Sequence, residues 1–246
     1  MKADPAIQAQ LLDVAALDAR IAQLTHQLKS LPEIAELAAL AAEESERTNR
    51  MRDAKIRVDD LTKEQKKADA DVEQVKVRRE RDRSRLEQGL ITDPKQIQAM
   101  THELESLERR IGVLEDEELE VMEMLEAAQM EHDKAAAEVA DSVSRREELE
   151  ARRAEKSVSI ERELDGARRR RNEAVVGVDA PLLALYDRLH ESRGIGAAPL
   201  RARTCGGCQL TLNAGDLGVL AKAPVDEVLR CPECDRILVR TSESGI

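Results

Sequence analysis

Gly89-Leu90-Ile91-Thr92-Asp93-Pro94 is a helix stop followed at once by a helix start. Gly89 accepts the left-handed backbone that closes a helix. Thr92 or Asp93 supplies an N-cap oxygen, and Pro94 fits the first helical position, where no N–H is needed. Heptads run into this loop and out of it. On the near side, Val58, Leu61, Ala68, Val72, Val75 and Leu86 recur at a/d spacing. On the far side, Leu104, Leu107, Ile111, Leu114, Val121 and Leu125 do the same. A reversal at the loop pairs positions equidistant from it, because both arms rise equally per residue. Leu61 is then expected opposite Val121, Val72 opposite Ile111, and Val75 opposite Leu107. Further out, Leu24 is expected opposite Val158, Ile21 opposite Ile160, and Leu17 opposite Leu164. An internal hairpin requires this coincidence of apolar positions, whereas a parallel or unpaired arrangement does not; the alternative is a long helix pair formed between two chains.

The seam is interrupted in two ways. Gln65, Arg79 and Asp82 occupy seam positions, which predicts a weakly held stretch near the loop. Pro32 follows the run Leu17, Ile21, Leu24, Leu28 and Leu31, and a break is expected there because proline lacks the amide donor. Gly177 and Pro181 mark a second break before a last helical run.

Composition agrees with long helices in narrow seams. Of 246 residues, 36% are charged; there is no Phe or Trp, and Tyr186 is the sole aromatic. A wide core needs bulkier side chains to fill it. The formal net charge of −11 repels polyanions and anionic membranes on average, so any such contact needs a local basic patch. The first residues, Met1-Lys2-Ala3-Asp4-Pro5, show no basic-then-apolar signal pattern, and no apolar run is long enough to span a bilayer. The expected location is the cytoplasm, where thiols stay reduced and clustered cysteines hold metal more often than they form disulfides.

The heptad ends near Gly194-Ile195-Gly196-Ala197-Ala198-Pro199, read as part of a linker over 194–203. Beyond it lie all four cysteines. Cys205-Gly206-Gly207-Cys208 is followed, after 22 residues, by Cys231-Pro232-Glu233-Cys234. Two residues between cysteines let both sulfurs reach one ion from a single turn, and two such turns complete a tetrahedron. Gly206 and Gly207 are expected to supply unusual torsions. Four thiolates also suit iron, and a lone C-x-x-C suits redox chemistry. Two matched pairs without a flanking βαβ pattern favour metal, and their spacing favours one structural Zn2+. Short strands are expected at Gln209–Leu212, Val228–Arg230 and Ile237–Arg240, with Asn213 capping a short helix through Leu217 and Leu220. A segment this small needs a staple, and zinc provides it.

The expected architecture is therefore mainly α. A long antiparallel coiled-coil hairpin spans 1–193, with its tip near 89–94 and a break near 32, and a small C-terminal β zinc ribbon spans 204–246. Three stretches also resemble the bacterial four-cysteine zinc-ribbon proteins with an N-terminal coiled-coil hairpin. They are Gly89 to Lys95, Cys205 to Leu212, and Arg230 to Leu238. Asp235 departs from the glycine common there. The resemblance implies a non-enzymatic binding protein, described as nucleic-acid-binding or partner-recruiting.

Catalytic signals are weak. His26, His102, His132 and His190 lie far apart within helical runs, and no nucleophile triad or phosphate loop is evident. Four thiolate ligands leave no open metal position for substrate. Arg168, Arg169, Arg170 and Arg171, with Arg201 and Arg203 nearer the ribbon, form the candidate patch for DNA, RNA or a partner. From Asp165 to Arg203 there are eight Arg and five acidic residues, which reverses the sign of the whole chain. Against nucleic acid, the ribbon carries four basic and six acidic residues and no aromatic platform for base stacking. The expectation is a zinc-binding coiled-coil adaptor that recruits a protein partner in transcription or RNA handling, without a membrane or small-molecule substrate. Nucleic-acid binding through the arginines is the alternative.

Overall fold

The computed structural model describes residues 1–246. Four helices come first: α1 (Pro5–Lys29), α2 (Pro32–Glu87), α3 (Pro94–Ala174) and α4 (Ala180–Arg193). Strands β1 (Ala197–Arg201) and β2 (Thr204–Cys205), helix α5 (Ala214–Lys222), and strands β3 (Leu229–Arg230) and β4 (Ile237–Val239) complete the chain. No helix is long and apolar enough to cross a membrane.

Proline and short polar caps set the helix boundaries. Asp4 accepts the Ala6 N–H at 2.8 Å, with Pro5 just inside the helix. Asp93 accepts the Lys95 N–H at 3.1 Å ahead of α3. Gly89 has φ +66°, the Leu90 N–H reaches the Arg85 carbonyl, and the Gly89 N–H reaches that of Leu86. These paired bonds consume carbonyls that the end of α2 would otherwise leave bare.

The chain divides into two compact units, Ala35–Glu150 and Met1–Ile34 with Ala151–Ile246. In the first, α2 and α3 run antiparallel away from the loop. The α2 seam lies where the heptads put it: Leu61 and Val72 are buried, and Asp82 is buried with them. The register differs from symmetry about the loop. Leu61 packs with Leu125 and Ala128, about one to two turns beyond Val121. The first turns of α3, Pro94–Ala99, are exposed, and the register follows the burial of Leu and Ala side chains instead of the loop's midpoint. A polar layer crosses the same seam, where Arg146 pairs with Glu44 at 3.0 Å and Arg47 donates to the buried Ser142.

In the second unit, α1 lies along the end of α3. Leu24 packs on Leu164 and Ala167 instead of Val158, which is exposed, so the register is shifted here too; Ile21 and Ile160 border the same cluster from either end. Glu33 opens α2 with a nearly buried carboxylate bonded to Lys156. The ribbon sheet has strand order β2-β1-β4-β3. β1 and β4 are parallel, pairing Ala197 with Ile237 and Pro199 with Val239, and the outer pairs are antiparallel.

Two sequence expectations are corrected here. The stretch 194–203 is not a free linker, because five of its residues form a central strand. Ala197, Ala198 and Leu200 are buried, so the small apolar residues read as flexible are instead packed. Gly196 permits this packing: a β-carbon there would lie 2.6 Å from the Tyr186 carbonyl oxygen. The strand expected at Gln209–Leu212 reduces to a single bridge, Thr211 to Thr204. The short helix is as expected, with Asn213 accepting the Asp216 N–H at 2.9 Å.

Candidate metal centre and its docking to the helices

β2 delivers Cys205, and the turn after it delivers Cys208. The turn between β3 and β4 delivers Cys231 and Cys234. The four sulfurs lie within 4.8 Å of one another. Cys205 Sγ is 3.9 Å from Cys234 Sγ, and Cys208 Sγ is 3.9 Å from Cys231 Sγ. A tetrahedron with metal–sulfur bonds of about 2.3 Å has edges of roughly 3.8 Å. The cluster therefore has the size and donor chemistry for one structural zinc ion, and each turn contributes two corners.

The turns differ from the sequence expectation in detail. Gly206 and Gly207 do not adopt positive φ; the left-handed positions fall on Gln209 (φ 62°) and Asp235 (φ 62°), one residue after each cysteine pair. The two glycines serve close approach instead. A β-carbon on Gly206 would sit 3.0 Å from the Pro199 ring, and one on Gly207 would sit 2.9 Å from Arg236 Cδ. At the φ of Asp235, glycine would carry the least steric cost. Asp tolerates αL better than most, and Arg230 donates to the Asp235 carbonyl and pairs with its carboxylate.

Electrostatics at the sulfurs are uneven. Burial pushes the Cys231 thiol up to about 12 and raises Cys205 as well. Burial also opposes ionisation of Cys234. The Arg236 backbone N–H, the Cys231 thiol and the Arg236 side chain outweigh it and bring Cys234 down to about 7. A divalent cation would resolve the conflict by stabilising all four thiolates together.

Arg236 also binds the ribbon to the helices. Its guanidinium donates to the Arg193 carbonyl at 2.7 Å and the Ile195 carbonyl at 3.1 Å, at the end of α4. Beneath it, Tyr186, Leu182, Leu185 and Leu189 of α4 share one core with Leu11 and Val14 of α1 and with Ile237 and Val239 of β4. A polar network closes this core. The Tyr186 hydroxyl donates to Asp18 at 2.7 Å, and Arg171 bridges Asp18 (2.7 Å) and Asp187 (2.8 Å). Burial and the Asp18 carboxylate raise the Tyr186 phenol well above its ordinary range. The ribbon is thus packed against α1 and α4, with the Ala3 N–H bonded to the Asp226 carbonyl at 2.8 Å as a further tie.

Of the candidate arginines, Arg171 is committed to this network. Arg168 pairs with Asp165 at 3.7 Å and Arg201 with Glu243 at 3.2 Å, both at the surface. Arg169, Arg170 and Arg203 are exposed without a carboxylate partner. The run of four is therefore not one patch, since consecutive helical residues point in different directions. Asp18, Asp187 and Arg236 escaped the sequence reading. The one available signal was Tyr186, because the only aromatic in a chain of 246 residues is an obvious candidate anchor.

Fold and site together define a four-cysteine zinc ribbon joined to a coiled-coil hairpin. The chain belongs to the family of the CT398-like coiled coil hairpin domain, whose model matches residues 14–194. A C4-type zinc ribbon domain matches residues 204–238. The chain is similar to an uncharacterized protein of Mycobacterium tuberculosis, with 35% identity over 250 residues covering 98% of each chain. Among solved structures it is similar to one from Mycobacterium smegmatis, with TM-score 0.84 and 32% identity, covering 98% of this chain and 100% of that one. CT398 from Chlamydia trachomatis shares the fold, with TM-score 0.65 and 18% identity over 97% of this chain and 100% of that one.

Proposed function

We propose that this protein is a non-enzymatic adaptor that uses its helices and zinc-stapled ribbon to recruit a protein partner, in transcription or RNA handling. The observation that carries this reading is the surface of Ala35–Glu150. Its two solvated helices hold large apolar side chains in water, among them Ile56, Val77, Leu119 and Met130. Side chains of this kind on a narrow helix pair suit contact with another protein. The zinc chemistry agrees: with four thiolate ligands, the ion has no vacancy at which to polarise a substrate.

A second reading, nucleic-acid binding, has one observation in its favour. Arg169, Arg170 and Arg203 are exposed and unpaired, beside Arg168 and Arg201 with their surface ion pairs. Phosphates can compete for such residues, and the affinity would then fall steeply with salt.

Affinity capture with the zinc-loaded full chain, before and after nuclease digestion, tests the two. The adaptor reading predicts a stoichiometric protein partner that survives digestion and is retained by Arg168→Gln/Arg169→Gln/Arg170→Gln. Loss of every partner on digestion, with direct DNA or RNA binding abolished in that variant, would establish the second reading in its place.

A further inference from the structure

Between Gly112 and Asp133, α3 carries nine Asp and Glu residues and no Lys or Arg. Most of the chain's formal charge of −11 is therefore concentrated in six turns of one helix. The facing helix does not neutralise it. The α2 stretch Asp59–Lys76 holds four Lys against six Asp and Glu. Only Glu115 and Glu131 of the nine pair with a Lys or Arg, Lys76 at 2.6 Å and Arg57 at 3.7 Å, and Asp133 lies 3.2 Å from its neighbour His132. Carboxyls are crowded enough that Glu118 is held above the ordinary range, first by its hydrogen bond with Asp69 on α2.

The same helix displays an apolar row. Leu119, Met122 and Met130 are 57%, 43% and 68% exposed. At 3.6 residues per turn they fall within an arc of about 80° on one face, with Met122 next to the buried Leu125 and with Leu119 and Met130 turned further out toward solvent. A shallow groove runs along the first part of this row, lined by Leu119, Met122 and Leu125 with Gln65 of α2, Glu123, Glu126 and Gln129, and Met130 lies just beyond its end. Methionine adapts to irregular surfaces, which suits a row that meets a partner helix.

We propose that this row and its groove dock a basic amphipathic helix of a protein partner, whose apolar stripe covers Leu119, Met122 and Met130 while flanking Lys and Arg meet the carboxylates. The inference rests on the adaptor reading and names the chemistry of the partner. Charge selects the occupant: nucleic acid and the same face of a second copy are repelled, and a cationic helix is steered in. The apolar row then supplies what charge alone does not, a fixed register.

The test uses the zinc-loaded full chain and three synthetic peptides of equal length. One has leucines on one helical face and lysines on the other. The second has the same residues scrambled to destroy that face, and the third replaces leucine with serine. The first should bind at least about tenfold more tightly than the other two, a difference of about 1.4 kcal/mol, because only it can lay leucines over the row. Leu119→Ser/Met122→Ser/Met130→Ser should remove that preference, and Glu123→Gln/Glu126→Gln should weaken binding and flatten its salt dependence. All five positions are exposed, so helicity and zinc content should be unchanged. Equal binding of all three peptides would overturn the proposal, reducing the face to a general polycation attractor. Self-association of the wild type that the triple variant abolishes would also overturn it, placing a second copy there. Nuclease-resistant capture that the triple variant retains in full would reject this face and leave the adaptor reading standing. Absence of any captured protein with the wild type would reject both.

Discussion

Tyr186 is the largest of the fully buried side chains. It lies over Gly196, stacks on His190 with ring centroids 6.2 Å apart, and bonds to Asp18. Tyr186→Phe preserves the packing but leaves a buried carboxylate short of one donor. It should cost about 1.5–3 kcal/mol, read as a lower denaturant midpoint at unchanged m-value. A cost below about 0.5 kcal/mol would mean that Arg171 alone satisfies the Asp18 carboxylate. At Asp235, φ of +62° should make Asp235→Ala destabilising by about 1 kcal/mol and Asp235→Gly close to neutral, because glycine relieves the strain while losing the Arg230 pair. Metal titration at both variants should still saturate at one equivalent, as no ligand is touched. At this scale the sequence was legible for the clustering of the four cysteines, since two C-x-x-C pairs can reach one ion, but not for the turns' torsions, where positive φ falls on Gln209 and Asp235 instead of Gly206 and Gly207. It was not legible for Arg236 or Asp18, whose partners are 41 and 168 residues away in the chain.

Helices and strands were legible where local chemistry decides them. Pro5, Pro32 and Pro94 begin helices, Gly89 and Gly194 end them, and Asn213 caps α5. The register was not legible, because Leu61 can bury against Val121 or Leu125 without any change in the heptad pattern; the six-residue loop allows either. β1 was missed for a related reason: Gly-Ala-Ala-Pro lacks the bulky residues that mark a strand, yet small residues are what its close packing on α4 requires. Asp82 illustrates what a weak seam costs. It is buried, with its nearest basic atoms, Arg81 Nε and Arg78 Nε, at 3.4 and 3.8 Å. Asp82→Leu should raise the melting temperature, because a well-packed apolar residue avoids the desolvation of a poorly paired carboxylate. A fall in melting temperature would show that the ion pairs outweigh that penalty. Glu33 is the opposite case. Its hydrogen bond with Lys156 holds the carboxyl below its ordinary value of 4.5, so it stabilises the fold above that pH and the contribution is lost as pH falls through the depressed value. Glu33→Gln should therefore lower the melting temperature at neutral pH and have little effect in strong acid. An equal loss at both pH values would contradict the ionic account.

Over the whole molecule, the ribbon's stability is tied to that of the helices it packs on. Ile237 and Val239 of β4 share a core with Leu11 and Val14 of α1, so the zinc ion supports contacts well beyond its ligands. Removing it with a chelator should release the amides of β1, β4 and the first turns of α1 to hydrogen exchange together. Loss of protection in the ribbon alone would show that α1 is held independently. The central claim is the four-sulfur zinc centre itself, and X-ray absorption at the zinc edge tests it most directly. The account predicts a single shell of four sulfurs at about 2.3 Å in protein containing one zinc per chain. A shell with nitrogen or oxygen neighbours in place of any sulfur, or protein that folds fully without bound metal, would contradict it.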